Sequence, residues 1–290
     1  MDEFFIDDDG MRLQAKLDRH EGLGHGSLGA QREQDVADAA NRIAAWCGLR
    51  NVRELKPQMT DLFVLFGGGV VGMLDALVEA MELDVAARYA IVGGRGHATF
   101  GLERAMEQEF ANWDDAVCPK PDVSAVSEAE MLSALLAQRT GRHVDLLETK
   151  STNCGNNIGY LLDLLDGEPC APSRVVLCQD ATMQRRMDAT WKRHVQERPR
   201  YANTAVVNWA AFKAQVAWRD GSLVYERAPR GMWDVEHFLR LLSGEVTRLT
   251  DDEHGYGPCG AGFIVHVDVP ADIQEAHKVL RAFVGTERRS

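Results

Sequence analysis

A run of small polar residues between Glu148 and Asn157 separates the apolar segment Val144–Leu147 from the apolar segment Ile158–Leu162. A strand that ends in a polar turn and leads into a helix is where open α/β sheets bind ligands. The alternative is a simple helix start, because Ser, Thr and Asn are all good N-caps. Capping needs one such residue, whereas the turn from Ser151 to Asn157 contains five, which favours a ligand site.

Two glycine-rich loops follow other apolar segments. The loop Gly67-Gly-Gly-Val-Val-Gly72 satisfies the pattern G-x-G-x-x-G, and the loop Gly93-Gly-Arg-Gly-His97 adds a cation and an imidazole. Glycines allow backbone N–H groups to approach an anion or a ribose. We therefore expect Gly67, Gly68, Gly93, Gly94 and Gly96 to contact a ligand, with His97 as a candidate for proton transfer.

A fourth loop runs from Gln179 to Arg186 and contains an acid, a hydroxyl and two adjacent arginines. Asp180 or Thr182 is suited to capping the following helix, and Arg185 and Arg186 are suited to binding an anion. The later cations Lys192, Arg193, His194 and Arg198 favour a solvated basic face instead. Four such loops at successive strand ends predict one shared crevice.

For several single residues the sequence is compatible with more than one role. Glu128 follows Ser127 at a predicted helix start, where it is either a proton-transfer group or a carboxylate that complements the helix dipole. Glu148 lies at a strand terminus, where a carboxylate is suited to ribose hydroxyls or an ammonium. Cys154 and His97 form a conceivable nucleophile and base, although the sequence does not show that they meet.

A nicotinamide dinucleotide fits the sequence less well. A Rossmann unit that binds NAD carries an acid at the end of its second strand, but here that strand leads into Gly93-Gly94-Arg95. The missing acid also weakens a standard methyltransferase fold. NADP stays open, because Arg95 is suited to reading a 2′-phosphate.

The loops require an alternation of strands and helices to position them. Apolar runs predict strands at 62–66, 90–92, 144–147 and 175–178, and helical periodicity predicts helices at 33–48, 71–83, 101–111, 128–139, 157–166 and 182–196. This alternation predicts an α/β fold with a doubly wound, mostly parallel sheet.

The organisation changes at both ends of the chain. After Pro199 we expect a hairpin at 215–225 that turns at Asp220-Gly221, then helices at 234–249 and 271–284, around a Gly-rich stretch at 255–262. The stretch is either a plain connection or a loop that closes over the crevice with Asp251, Asp252 and Tyr256. Residues 1–32 indicate an irregular tail. The predicted units are a tail and helix at 1–50, an α/β domain at 51–210 and a small subdomain at 211–290.

Composition narrows the functional class. The formal net charge of −12 argues against nucleic acid and anionic membranes as partners, and no apolar run reaches the roughly 18–20 residues of a membrane helix. The acidic N-terminus is unlike a signal peptide, so a cytoplasmic location is expected. Six cysteines without regular spacing indicate neither a disulfide framework nor a metal site.

Several short blocks together resemble the YdcF-like proteins of the SanA/ElyC/YdcF group. The resemblance rests on Gly93–His97, Ser151–Gly155 with Asn157, Gln179-Asp180, Thr182–Arg186, Leu241–Glu245, Arg248-Leu249, Asp251-Asp252, Gly255–Pro258 and Phe263–Asp268. These blocks span most of the chain. Two positions depart from the family pattern: Asn156 stands where relatives carry glutamate, and Gly68 stands where they carry asparagine.

The resemblance implies a Rossmann-like α/β domain, a small and mainly helical C-terminal domain, and S-adenosyl-L-methionine as ligand. The expected contacts are those of the loops above, namely Gly67, Gly68, Gly93, Gly94, Gly96, Glu148, Ser151, Asn153, Cys154, Asn157, Gln179, Asp180, Thr182, Arg185 and Arg186, with His97 and Glu128 for proton transfer. The activated sulfonium is compatible with methyl transfer, aminocarboxypropyl transfer or elimination. The rival expectations are a hydrolase or transferase of phosphorylated or cell-envelope precursors, and a non-catalytic ligand sensor.

Overall fold

The computed structural model describes residues 26–286, with side chains described for residues 33–285. Its centre is a five-stranded sheet in which every pairing is parallel and the strand order is β3-β2-β1-β4-β5. The strands are β1 (Thr60–Phe66), β2 (Ala86–Val92), β3 (Leu146–Glu148), β4 (Arg174–Gln179) and β5 (Ala205–Ala210). The predicted α/β class with a Rossmann-like sheet is confirmed.

Helices cover both faces of the sheet. They are α1 (Gly26–Cys47), α2 (Leu74–Glu82), α3 (Thr99–Glu109), α4 (Glu128–Thr140), α5 (Cys154–Asp166), α6 (Gln184–Glu197), α7 (Val235–Leu249) and α8 (Ala271–Thr286). Short 3-10 turns lie at Val71–Met73, Phe110–Asn112 and Pro199–Tyr201. None of the helices within residues 26–286 combines the length and the apolar character needed to cross a membrane.

Alternating side chains of the strands divide the core into two layers. Phe63, Leu65 and Ile91 face a large cluster that includes α1, α2, α4, α7 and α8, while Leu62 and Val64 face a smaller cluster with α5 and α6. This alternation follows from the pleat of the strands, which directs successive side chains to opposite faces. Both faces are apolar because helices cover both, as in other all-parallel sheets.

The C-terminal part contains the hairpin β6 (Gln215–Arg219) and β7 (Ser222–Arg227), whose turn at Asp220-Gly221 is confirmed, followed by α7 and α8. The N-terminal helix α1 packs against α8, β6 and α7. Its buried residues Val36, Ala40 and Ile43 belong to the large cluster that also lines the sheet. Helix α1 and the C-terminal helices α7 and α8 therefore build one helical layer together.

The predicted elements differ from the structure at several places. Strand β2 begins at Ala86, four residues before the prediction, and β3 lies at Leu146–Glu148 instead of 144–147. Strand β5 was not predicted, because its polar Asn208 interrupts the apolar run and is buried through hydrogen bonds to Asn51 and Asp188. Residues 26–32 form the start of α1 and not an irregular tail, whereas residues 1–25 lie outside the described residues. Helix α5 begins at Cys154, three residues before the prediction, because Asn153 caps it.

Candidate functional site

A cavity of about 930 Å³ opens at the carboxyl ends of the parallel strands. It includes Gly67 after β1 and Gln179 and Asp180 at the end of β4, the two neighbouring strands between which the strand order reverses. This is the position at which open α/β sheets bind ligands. The volume is within the range of small-molecule sites.

Most of the predicted site residues line this one cavity. They are Gly67, Gly68, Gly94, Gly96, His97, Glu128, Ser151, Asn153, Cys154, Asn157, Gln179, Asp180 and Arg186. The four predicted loops thus converge as expected from the parallel sheet. The C-terminal part supplies Trp233, His237, Glu245, Arg248, Tyr256 and Phe263 to the same wall.

Four predicted residues lie outside the cavity lining, namely Gly93, Glu148, Thr182 and Arg185. Gly93 packs against Gly67, and Thr182 donates its hydroxyl and its N–H to Oδ1 of Asp180. Glu148 accepts hydrogen bonds from the Ser151 hydroxyl at 2.6 Å and from the backbone of Lys150 and Ser151. The Glu148 carboxylate therefore stabilises the conformation of the polar turn through these hydrogen bonds.

The two adjacent arginines point in different directions. Arg185 donates to the carbonyl oxygen of Trp46 and stacks over its ring, whereas Arg186 forms a bidentate pair with Glu245 at 2.7 and 2.8 Å. The expectation that Arg185 and Arg186 form a joint anion site does not match this geometry. Consecutive residues of a helix do not share a face.

Arg186, Glu245 and Arg248 form a charged cluster between α6 and α7. Arg248 donates to the same Glu245 at 3.1 Å, so two guanidinium groups share one carboxylate. The Glu245 side chain is buried, while Arg248 retains an exposed fraction of 36%. The cluster carries a surplus positive charge at the cavity wall, which suits a carboxylate or phosphate.

Asp180 places a carboxyl group at the base of the cavity. Oδ1 accepts two hydrogen bonds from Thr182, and Oδ2 accepts none from the described residues. Burial raises the pKa of Asp180 to about 6, although the hydrogen bonds from Thr182 oppose this rise. The free oxygen is suited to an ammonium or a hydroxyl of a ligand.

The polar turn satisfies most of its own groups. Asn153 caps α5 through the N–H of Asn156, and the Asn156 carbonyl oxygen accepts from Thr152 and Asn153. Asn157 is different: the residue as a whole is 7% exposed, and its side-chain amide hydrogen-bonds with no group among the described residues. Because buried amides are normally paired, Asn157 is available to a ligand.

Glu128 and His97, the proton-transfer candidates, differ in environment. Glu128 is buried and accepts the Thr99 hydroxyl at 2.7 Å, and burial raises the pKa of its carboxyl group despite that hydrogen bond. Its backbone N–H donates to Gly94, which ties the start of α4 to the loop after β2. His97 is exposed at the cavity and has no hydrogen-bond partner in the described part of the chain.

The geometry gives little support to a Cys154 nucleophile. Burial raises the pKa of the Cys154 thiol, and the neighbouring Arg186 only partly offsets this effect. Within residues 33–285 no hydrogen bond joins Cys154 to His97. A thiol with a raised pKa is mostly protonated at neutral pH and is a poor nucleophile.

The cavity is also lined by Arg193, His194 and Arg198, for which the sequence predicts a solvated basic face instead. Burial lowers the pKa of the His194 imidazole, with a smaller contribution from Arg198. Arg193 and Arg198 are paired with Glu197 and Asp163. Helical periodicity predicts which face of a helix is polar, but it does not show whether that face borders solvent or a cavity. The sequence alone therefore could not place these residues at the site.

Two aromatic pairs border the opening. Phe100 lies 5.7 Å from Trp233, and Tyr256 lies 5.5 Å from Phe263. Phe100 and Phe263 are among the most exposed large apolar residues, at 41% and 61%. Tyr256 and Gly262 confirm that the Gly-rich stretch reaches the cavity, whereas Asp251 is turned toward His266 and the Cys259 N–H.

Arg95 does not face the cavity. Its guanidinium donates to the carbonyl oxygens of Val123 and Val126 and pairs with Glu103 at 2.5 Å. These bonds leave it poorly placed to read a 2′-phosphate in the crevice.

Comparison of the chain with models of known protein families finds no match.

Proposed function

We propose that the protein binds S-adenosyl-L-methionine in the cavity at the carboxyl ends of β1 to β4. The observation that carries this proposal is that two opposite charges line the same cavity. One is the surplus positive charge of the Arg186–Glu245–Arg248 cluster, and the other is the Asp180 carboxylate, whose Oδ2 has no hydrogen-bond partner among the described residues. An amino acid moiety presents the complement, a carboxylate and an ammonium. The resemblance to the YdcF-like proteins supports the same ligand.

The remaining parts of the ligand find suitable surroundings. The exposed rings of Phe100 and Phe263 offer faces for stacking of adenine. The unpaired amide of Asn157 offers both a donor and an acceptor to the ribose or the purine edge. The electron-rich faces of Tyr256 and Trp233 suit a sulfonium, which aromatic rings attract as they attract other cations.

The bound sulfonium would supply activated carbon–sulfur bonds, which are compatible with transfer or with elimination. The proposal extends to an enzyme of the transferase or lyase class, in which Glu128 or His97 moves a proton. His194 is a third group for this role, because burial lowers the pKa of its imidazole and keeps the ring neutral. A sensor without turnover uses the same binding site.

Isothermal titration with S-adenosylmethionine tests the proposal, with NADPH titrated in parallel. We expect micromolar binding of the former. We also expect Arg248→Ala to weaken that binding by at least about tenfold, because a charge-assisted hydrogen bond contributes about 1.5–3 kcal/mol. Arg240→Ala is the matched control on the same helix, since Arg240 is exposed and pairs with Glu236.

Absence of S-adenosylmethionine binding in a folded protein would contradict the proposal. The rival is then a phosphorylated substrate, for which the Arg186–Glu245–Arg248 cluster is the specific support. Titration with inorganic phosphate, again comparing Arg248→Ala with Arg240→Ala, separates the two. If S-adenosylmethionine binds but a mixture with candidate acceptors gives no product, the sensor becomes the better description.

A further inference from the structure

The loop after β1 carries the glycine fingerprint of dinucleotide-binding proteins, but its glycines contact protein. In such proteins the second glycine lets the backbone approach the pyrophosphate of the ligand. Here the second glycine is Gly69, and a Cβ built on it would lie 2.1 Å from the Trp233 indole. The indole therefore fills the space above the loop that a pyrophosphate would need.

A strap of the C-terminal part, residues 229–233, holds the indole in that place. A Cβ on Gly72 would meet the Arg230 backbone at 2.7 Å, and the Gly72 N–H donates to the Arg230 carbonyl oxygen at 3.0 Å. Arg230 also pairs with Asp75 and Glu109. A Cβ on Gly101 would lie 2.2 Å from the same indole, so two glycines of separate segments make room for it.

The electrostatics at this loop also disfavour phosphate. A Cβ on the first glycine, Gly67, would lie 2.5 Å from Oε2 of Glu128. Only Oε1 of that carboxylate is hydrogen-bonded, to Thr99. A phosphate that approached the loop would meet this carboxylate, and like charges in a partly buried site repel strongly.

We propose that Trp233 is a specificity-determining residue that keeps phosphate groups out of the space above the loop after β1 and so favours unphosphorylated nucleoside derivatives. This inference rests on the proposed function for the nucleoside part of the ligand. Trp233 blocks the phosphate position sterically, and Glu128 adds charge repulsion. The G-x-G-x-x-G pattern is thus a packing device for the strap, and ligands such as ADP or NADPH are excluded while an adenosine bearing an uncharged or cationic 5′ substituent is admitted.

The test compares adenosine, S-adenosylmethionine and ADP by isothermal titration on the full chain. In the unmodified protein we expect ADP to bind at least about 100-fold more weakly than adenosine. In Trp233→Ala the ratio of the two dissociation constants should fall by about tenfold or more, because the space above Gly69 opens. Combining this change with Glu128→Gln should lower the ratio further.

Two additional variants serve as controls. One guards against misfolding of Trp233→Ala, and the other measures the effect of removing a tryptophan that lies away from the cavity. Trp233→Leu leaves a smaller cavity and replaces Trp233→Ala if thermal unfolding shows that the latter does not fold. Trp113→Leu is the matched control, because Trp113 packs on Phe110 away from the cavity and its Nε1–H donates to Cys118. It should leave the ratio unchanged.

The outcomes separate this inference from the proposed function. ADP binding within threefold of adenosine in the unmodified protein would overturn the inference, as would an unchanged ratio in a folded Trp233 variant. If S-adenosylmethionine binds in either case, the proposed function stands. If neither S-adenosylmethionine nor adenosine binds, the proposed function fails. In that case a gain of ADP binding by the Trp233 variant still supports the steric block. If the Trp233 variant gains no ADP binding, the steric block is overturned as well.

Discussion

Asp180 combines a buried carboxyl group with a free oxygen, and its pKa of about 6 lies well above that of an exposed aspartate. A raised pKa means that the folded state holds its proton more tightly than the unfolded state. The contribution of Asp180 to stability is therefore most favourable below about pH 4 and is lost as the pH rises to about 6. Ionised Asp180 destabilises the fold at neutral pH.

We expect Asp180→Asn to raise the free energy of unfolding at pH 7.5, by up to about 3 kcal/mol from the linkage relation. The amide oxygen keeps the two hydrogen bonds from Thr182. Urea denaturation of both proteins at pH 7.5 and at pH 3.5 measures this effect, and the difference should vanish at the lower pH. Destabilisation at pH 7.5 would contradict the burial argument.

The same substitution should weaken ligand binding. If ionised Asp180 contacts the ligand ammonium, the affinity for S-adenosylmethionine falls as the pH drops below about 6, because the carboxyl group becomes protonated. Asp180→Asn should lower the affinity at pH 7.5 by about tenfold and remove this pH dependence. Titrations at pH 5, 6 and 7.5 check it; an unchanged profile would remove Asp180 from the binding site.

Single residues were predictable where the chemistry is local and unpredictable where a partner is distant. The polar turn and Asp180 were found because they follow strands directly. Glu245 lies 59 positions from Arg186, and no local pattern indicates that pair. Glu148 shows the opposite case: a carboxylate at a strand end is expected to contact a ligand, but it accepts three hydrogen bonds from its own turn and lies outside the cavity lining.

Helices α6 and α7 are joined at the cavity wall by the buried pair of Arg186 and Glu245. Removing one partner of a buried pair leaves an uncompensated charge. We expect Glu245→Gln to lower the free energy of unfolding by about 3 kcal/mol. Glu236→Gln, on the same helix but in an exposed pair with Arg240, should cost less than about 1 kcal/mol. Equal effects in chemical denaturation would show that the cluster is not structural.

The elements with strong periodicity were predicted well, and the weak ones were not. Strands β1 and β4 contain the continuous apolar runs Leu62–Phe66 and Val175–Cys178, as buried parallel strands require, whereas Arg88 interrupts β2 and only its last three residues are predicted. Strand β5 contains Asn208, whose buried amide is satisfied by Asn51 and Asp188 from other segments. Its strand character depends on tertiary partners, so local composition could not reveal it.

The hydrophobic layer formed by α1, α7 and α8 is continuous with one face of the sheet. We therefore expect the C-terminal part to unfold together with the sheet in one transition. Ile43→Ala, which removes a fully buried side chain of α1, should lower the free energy of unfolding by about 2–4 kcal/mol without splitting the transition. Circular dichroism and tryptophan fluorescence should give coincident curves; separate midpoints would establish independent units.

The arrangement of α1 against α7 and α8 sets an order for folding during synthesis. About 220 residues separate the end of α1 from the start of α8. At a translation rate of about 5–20 residues per second, α8 is synthesised on the order of 10–50 seconds after α1, and the apolar side of α1 lacks this packing partner until then. During that interval the nascent chain presents an uncovered amphipathic helix, and transiently exposed apolar surface of this kind is prone to aggregation.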